Sequence, residues 1–236
     1  MHHDTIEAIA EEFWQQGFVA LPNFFESQVM QQLHSIILEH FSDSPQYLHD
    51  ADFIEKSKAE VIPWFPQSDG ITQFDKIEQN SQLKSLTEEI LGADWKTQQC
   101  MVMLSKPQSK GQAWHQDCPP EDQQSFNLNR LVYTMDVNDE VGGHVVIKPK
   151  SHLSGEITTG ELFEDFEDQV VLAPKAGTLV LIHGHCWHRV KPVNNQSRVS
   201  TNFRAIPKGI PEGITDICVY RNMRYQFSTS TMLVER

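Results

Sequence analysis

No stretch of this sequence reaches the roughly 18 consecutive apolar residues of a membrane span, so no membrane partner is expected. The opening "MHHDTIEAIAEEFWQQ" is acidic and lacks the basic-then-apolar layout of a secretory leader, which makes the cytoplasm the default compartment. Cysteine is sparse. Cys100, Cys118, Cys186 and Cys218 lie far apart without a CxxC pair, which argues against a zinc knuckle or a disulfide framework. Positive charge is short too: 19 Lys and Arg stand against 32 Asp and Glu, a net charge of −13. Such a chain adds repulsion where nucleic acid or anionic lipid would need counterion release, so no nucleic-acid partner is expected. Internal repeats, low-complexity tracts and linkers are also missing, and the length suits one domain over residues 1–236.

What is present divides into two textures. Residues 1–96 read as a mostly helical flank. Asp4 is placed to cap a helix whose apolar positions Ile6, Ile9, Ala10 and Phe13 recur at helical spacing, with Glu7 completing a capping box and Gly17 ending it. "FVALP" then reads as a short strand. A second helix starts at Glu26 or Ser27, with Val29, Met30, Leu33, Ile36 and Ile37 on one face. A third runs near Gln82–Leu91, stopped by Gly92. Residues 42–80 between them are polar and aperiodic, the texture of a lid or pocket wall. From Thr97 on, short β-rich runs recur: "CMVMLS", "RLVYTMDV", "HVVIKP", "QVVLAP", "TLVLIHG", "VSTNFRAI" and "DICVYR". Turn residues separate them and no helix intervenes, which favours antiparallel pairing in a sandwich or jelly roll over 97–236.

The chemistry gathers at "AWHQDCPP". Side chains at i and i+2 of an extended segment point the same way, so His115 and Asp117 can face one ion together. A second imidazole would complete a two-histidine, one-carboxylate face with three open positions, a set suited to non-haem Fe(II). Three of the eleven histidines, His183, His185 and His188, cluster in "VLIHGHCWHRV", and alternation does not choose among them because Gly184 interrupts the pattern. Trp114 reads as packing near the mouth of such a site, and Cys118 and Cys186 as ordinary buried thiols. Arg204, on the same face as Arg198 by parity, suits either an acidic substrate or an ion pair.

Five segments in order resemble the phytanoyl-CoA dioxygenase family of Fe(II)/2-oxoglutarate oxygenases. They are "FWQQGFVALPNFF", "LTEEILGADW", "AWHQD", "MDVNDEVGGHVVIKPKSH" and "AGTLVLIHGHCWHRVKPVNNQSR", covering about Phe13 to Ile206. The resemblance implies a double-stranded β-helix, the jelly roll of the cupins, with an N-terminal helical segment. It implies Fe(II) held by His115, Asp117 and His188, 2-oxoglutarate as cosubstrate and O2. It places Arg198 on the distal carboxylate of 2-oxoglutarate, a role that suits the planar fork of the guanidinium. Thr134 and Ser200 are the hydroxyls expected beside it. "KPKSH" departs from the family's Pro-Gly-Ser-His, and "VGGH" from its Asn-Gly, so the loops there are expected to be built differently.

The implied reaction oxidises a C–H bond of a small organic substrate, by hydroxylation as the default, with release of succinate and CO2. A halogenase of the same fold is disfavoured by Asp117, since chloride takes the position of a missing carboxylate. A cupin-like binding protein without turnover has no need of Arg198, and a zinc hydrolase at the same three residues is the remaining rival. Net charge disfavours a phosphate-bearing acyl-CoA substrate and leaves a compact polar metabolite as the better fit. The substrate's identity and the oligomeric state are not legible.

Overall fold

The computed structural model describes residues 5–42, 55, 60–226 and 233–235. Helix α1 (Ile6–Gln16) begins where Thr5 accepts a hydrogen bond from the Ala8 amide at 3.2 Å. Asp4, the expected cap, lies outside the described residues. Gly17 closes the helix in the left-handed conformation, its amide bonded to Phe13 O. α2 (Ser27–Ser42) buries Met30, Leu33 and Ile37. The segment read as aperiodic is more ordered than expected from residue 60 onward. It forms a strand (Ile62–Trp64), a 3-10 turn (Pro66–Asp69) and the short helix α3 (Asp75–Glu78). Each piece is too short to carry a period. α4 (Ser81–Leu91) follows, capped by Asn80 Oδ1 on the Leu83 amide.

Thirteen strands among the described residues form two antiparallel sheets. The first runs, in spatial order, β1 (Phe18–Leu21), β8 (Leu179–His183), β5 (Leu128–Val132), β10 (Arg198–Ile206), β3 (Lys96–Ser105) and β2 (Ile62–Trp64). The second runs β13 (Leu233–Glu235), β12 (Met223–Gln226), β11 (Ile217–Tyr220), β4 (Gln112–Gln116), β9 (His188–Val190), β6 (Val145–Ile147) and β7 (Val170–Leu172). Consecutive strands repeatedly fall in opposite sheets, the mark of a jelly roll. Among the described residues no helix is long and apolar enough to cross a membrane.

Period-two alternation divides the first sheet into two chemistries. Val199, Phe203 and Ala205 of β10, Val102 and Leu104 of β3, and Leu128 and Val132 of β5 join the main core. That core takes in Phe13, Met30, Leu33, Leu83 and Leu86 of the helices, each worth about 1.5–3 kcal/mol when fully buried. Arg198, Ser200, Asn202 and Arg204 of β10, with Met101 and Met103 of β3, point the other way and line a cavity between the sheets.

Candidate active site

His115 lies near the end of β4 and His188 at the start of β9, paired directly across the ladder. Asp117 follows His115 by two residues, and all three side chains are buried at the cavity. His115 Nε2 is 3.8 Å from Asp117 Oδ1, and His188 Nε2 is 3.4 Å from Oδ2. One ligating atom from each of the three lies within 4.8 Å of the other two. Both imidazoles are turned by the same device. Nδ1 of His115 is 2.8 Å from Ala113 O, and Nδ1 of His188 is 2.9 Å from Cys186 O. A carbonyl only accepts, so Nδ1 carries the proton and Nε2 presents its lone pair inward, as a metal ligand must.

Burial alone would raise the Asp117 carboxyl. The Arg204 guanidinium, 3.7 Å from Oδ1, and the neighbouring His188 and His115 rings outweigh it and hold the group well below the usual carboxylate range. Burial and the His188 ring push His115 down to about 4. At neutral pH the trio therefore offers one ionised carboxylate and a neutral His115 ring, the protonation a metal requires. Around it, Asn129 Nδ2 donates to Asp117 Oδ2 at 2.8 Å and Cys218 Sγ to Oδ1 at 3.2 Å. Burial, with Asp117 alongside, lifts the Cys218 thiol far above its ordinary range, so it stays a donor.

Beyond the trio, the cavity continues between the two sheets. Arg198 reaches into it fully buried. Its Nη1 donates to Ser200 Oγ at 3.1 Å and its guanidinium lies 6.0 Å from the Tyr133 ring centroid, while Nε has no partner. Among the described residues no carboxylate lies within ion-pair distance of it. A buried guanidinium without a counter-ion is costly unless a ligand supplies the charge. Room for this side chain comes from Gly143, at φ +67°: a Cβ there would stand 2.2 Å from Arg198 Cδ. This is the local reason for "VGGH". In "KPKSH", Lys150 occupies the left-handed region at φ +63°, so the turn keeps its shape without the glycine.

Thr134 is not brought to the cavity. Residues 129 and 131 face inward on β5, and by parity Thr134, past the end of that strand, falls on the helical side, where its Oγ1 is 3.2 Å from His34 Nδ1. Its neighbour Tyr133 faces Arg198 instead. Trp114 points out of the far face of the second sheet, packed with Val146, Ile157 and Trp187, not at the mouth of the cavity. His183 and His185 stand apart from the trio; the His183 ring stacks on Phe126, and His185 Nε2 meets Ser125 O. Trp64 and Phe74 belong to the main core, and Cys118 and Cys186 are buried thiols. Asn129, Asn202, Cys218 and Tyr133 were not foreseen. Parity along "RVSTNFR" is the signal that would have found Asn202, since every second residue from Arg198 to Arg204 is polar while Val199 and Phe203 between them are apolar.

The family model for phytanoyl-CoA dioxygenase (PhyH) matches residues 13–200. No curated protein matches the sequence. Among solved structures, the epimerase SnoN in complex with Fe3+, alpha-ketoglutarate and nogalamycin RO superposes with a TM-score of 0.65 at 17% identity, covering 92% of this chain and 86% of that one. HygX from Streptomyces hygroscopicus, with nickel and 2-oxoglutarate bound, gives a TM-score of 0.65 at 11% identity over 85% and 86% of the two chains.

Proposed function

The chain belongs to the phytanoyl-CoA dioxygenase family, whose members are Fe(II)/2-oxoglutarate-dependent enzymes, and from that premise we propose that His115, Asp117 and His188 hold the iron. In the same proposal Arg198, assisted by Ser200, grips the distal carboxylate of 2-oxoglutarate, and the enzyme hydroxylates a C–H bond of a small organic molecule. The observation that carries this reading is Arg198 itself, a buried cation with no carboxylate within ion-pair distance among the described residues, set in the same cavity as a two-histidine, one-carboxylate trio. Neutral nitrogen and carboxylate oxygen donors suit Fe(II). When bound, iron and 2-oxoglutarate supply the oxidising chemistry, with O2 consumed and succinate and CO2 released.

The protein's share is positional. The two backbone carbonyls fix the imidazoles, Asn129 and Cys218 fix the carboxylate, and the cavity walls Val145, Val190 and Met103 keep water from the reacting groups. Asp117 occupies the position a halogenase would leave to chloride, so turnover is expected to be indifferent to chloride beyond general salt effects.

Anaerobic addition of 2-oxoglutarate to the Fe(II)-loaded protein tests the reading. A visible charge-transfer band is expected, and His188→Ala should abolish both band and turnover. A band that survives in His188→Ala but disappears in His183→Ala or His185→Ala would contradict the ligand set. Stereochemical inversion, the activity named for SnoN, starts from the same site. Mass spectrometry separates the two: hydroxylation adds one oxygen, and inversion leaves the mass unchanged.

A further inference from the structure

The polar face of β10 changes character halfway along. Arg198 and Ser200 offer hydrogen-bond donors to the cavity. 2-Oxoglutarate, with two carboxylates and a ketone, only accepts, so these two residues match it. Asn202, next on the same face, offers the reverse. Its Nδ2 donates to Asn129 Oδ1 at 2.8 Å, an oxygen that also takes Arg204 Nε at 3.1 Å. Asn129 Nδ2 then donates to Asp117 Oδ2. Arg204 can only donate and the Asp117 carboxylate can only accept, so both amides have one satisfying orientation. That orientation leaves Asn202 Oδ1 without a partner, although Asn202 is 3% exposed and lines the cavity. Its cross-strand neighbours, Met101 and Leu131, carry nothing that could donate from their side chains.

An acceptor pinned in place, buried and unmet is a ligand contact waiting for a donor. The cosubstrate has none to give. We propose that Asn202 Oδ1 selects the prime substrate, accepting a hydrogen bond from an O–H or N–H group that the substrate carries near the carbon to be oxidised. Two hydrogen bonds join Asn202 to Asp117, so the contact lies beside the iron ligands. The substrate class is then a hydroxyl- or amine-bearing small molecule; a bare hydrocarbon or acyl chain would leave this oxygen buried and unpaired. This inference rests on the iron and 2-oxoglutarate reading and deepens it.

The test uses the Fe(II)- and 2-oxoglutarate-loaded protein under anaerobic conditions. Formation of the visible band is recorded first; its absence overturns the underlying reading and this inference with it. Matched pairs of small ring compounds are then titrated in, each alcohol or primary amine beside its methyl ether or deoxy counterpart, and the band is followed for a shift. Donor-bearing members should shift it at concentrations about tenfold lower or more than their partners, because a site built to meet a polar group rejects the analogue lacking it. Asn202→Leu should level the pairs, while Asn202→Asp, which keeps an acceptor, should retain the bias. A band with equal responses within pairs, or with no response to any compound, overturns the inference alone. The paired comparison on the wild type stands even if Asn202→Leu does not fold.

Discussion

Two arginines are buried on opposite faces of the same sheet, and they are treated differently. Arg130, on β5, points to the helices. Nη2 meets Glu78 Oε1 at 2.6 Å and Thr97 Oγ1 at 3.1 Å, Nη1 meets Thr87 Oγ1 at 3.3 Å, Nε meets Phe203 O at 2.6 Å, and the guanidinium lies over Trp95. Arg198, on β10, points to the cavity. It has one hydroxyl, an aromatic ring, an unpartnered Nε and no carboxylate among the described residues. Both are desolvated, and burial lowers both away from their ordinary range, Glu78 opposing it at Arg130 and Tyr133 at Arg198. The first arginine is complete within the fold and belongs to stability. In the proposed reading the second is completed by the cosubstrate and belongs to binding.

The contrast breaks first, and with the largest effect, at Arg130. Arg130→Met strands Glu78 and the Phe203 carbonyl and should destabilise the protein by about 3 kcal/mol, the low end for removing one partner of a buried ion pair, because the Glu78 side chain is 16% exposed. Denaturant melts check this; affinity of the folded protein for 2-oxoglutarate should be unchanged. Arg198→Lys should behave in the opposite way. Stability holds, and the KM for 2-oxoglutarate rises on the scale of 1.5–3 kcal/mol for a hydrogen bond to a charged group, roughly 10- to 100-fold, with that for the prime substrate little changed.

The metal end resembles Arg130 more than Arg198, since Asp117 is held by Asn129, Cys218 and Arg204. Asn129→Leu should therefore weaken Fe(II) binding roughly 10- to 100-fold, the usual effect of removing a group that orients a ligand. Competition with a chelator of known affinity measures it, and unchanged iron affinity would contradict the role. The smallest effect is expected in acid. Burial, then His185 and His152, hold His183 well below its ordinary value. Between that folded value and the unfolded one near 6.5, only the unfolded chain takes the proton. Its contribution is thus present above about pH 6.5 and fades as pH falls below it. His183→Leu should flatten that acid slope in melts compared at about pH 7.5 and about pH 5.5.

Seven β-rich runs in the sequence correspond to β3, β5, β6, β7, β8, β10 and β11, because each combines β-branched residues with flanking turn residues. β2 (IPW) and β9 (HRV) are as short as β6 and β7 but lack their run of β-branched residues, so composition does not mark them. The choice of His188 over His183 and His185 came from the family resemblance. Strand pairing supports it: of the three, only His188 sits opposite His115 across the ladder, a relation that sequence spacing does not encode. Thr134 was carried over from the resemblance, whereas parity along β5 puts its hydroxyl on the helical side, beside His34. Asn129 and Asn202 escaped because an asparagine in a strand looks the same whether it is a hub or an ornament. Their value lies in which atom of each amide is already engaged.

The account turns on Arg198 being a cation kept for the far end of a dicarboxylate. Anaerobic titration of the Fe(II)-loaded protein with 2-oxoglutarate and with 2-oxobutyrate tests this directly, since the two share the chelating end and differ at the distal carboxylate. The wild type should prefer 2-oxoglutarate by roughly 10- to 100-fold, the equivalent of one charged hydrogen-bonded contact, and Arg198→Met should erase that preference while still forming the chelate band with either acid. Equal affinity for the two acids in the wild type, or a preference that survives in Arg198→Met, would contradict it.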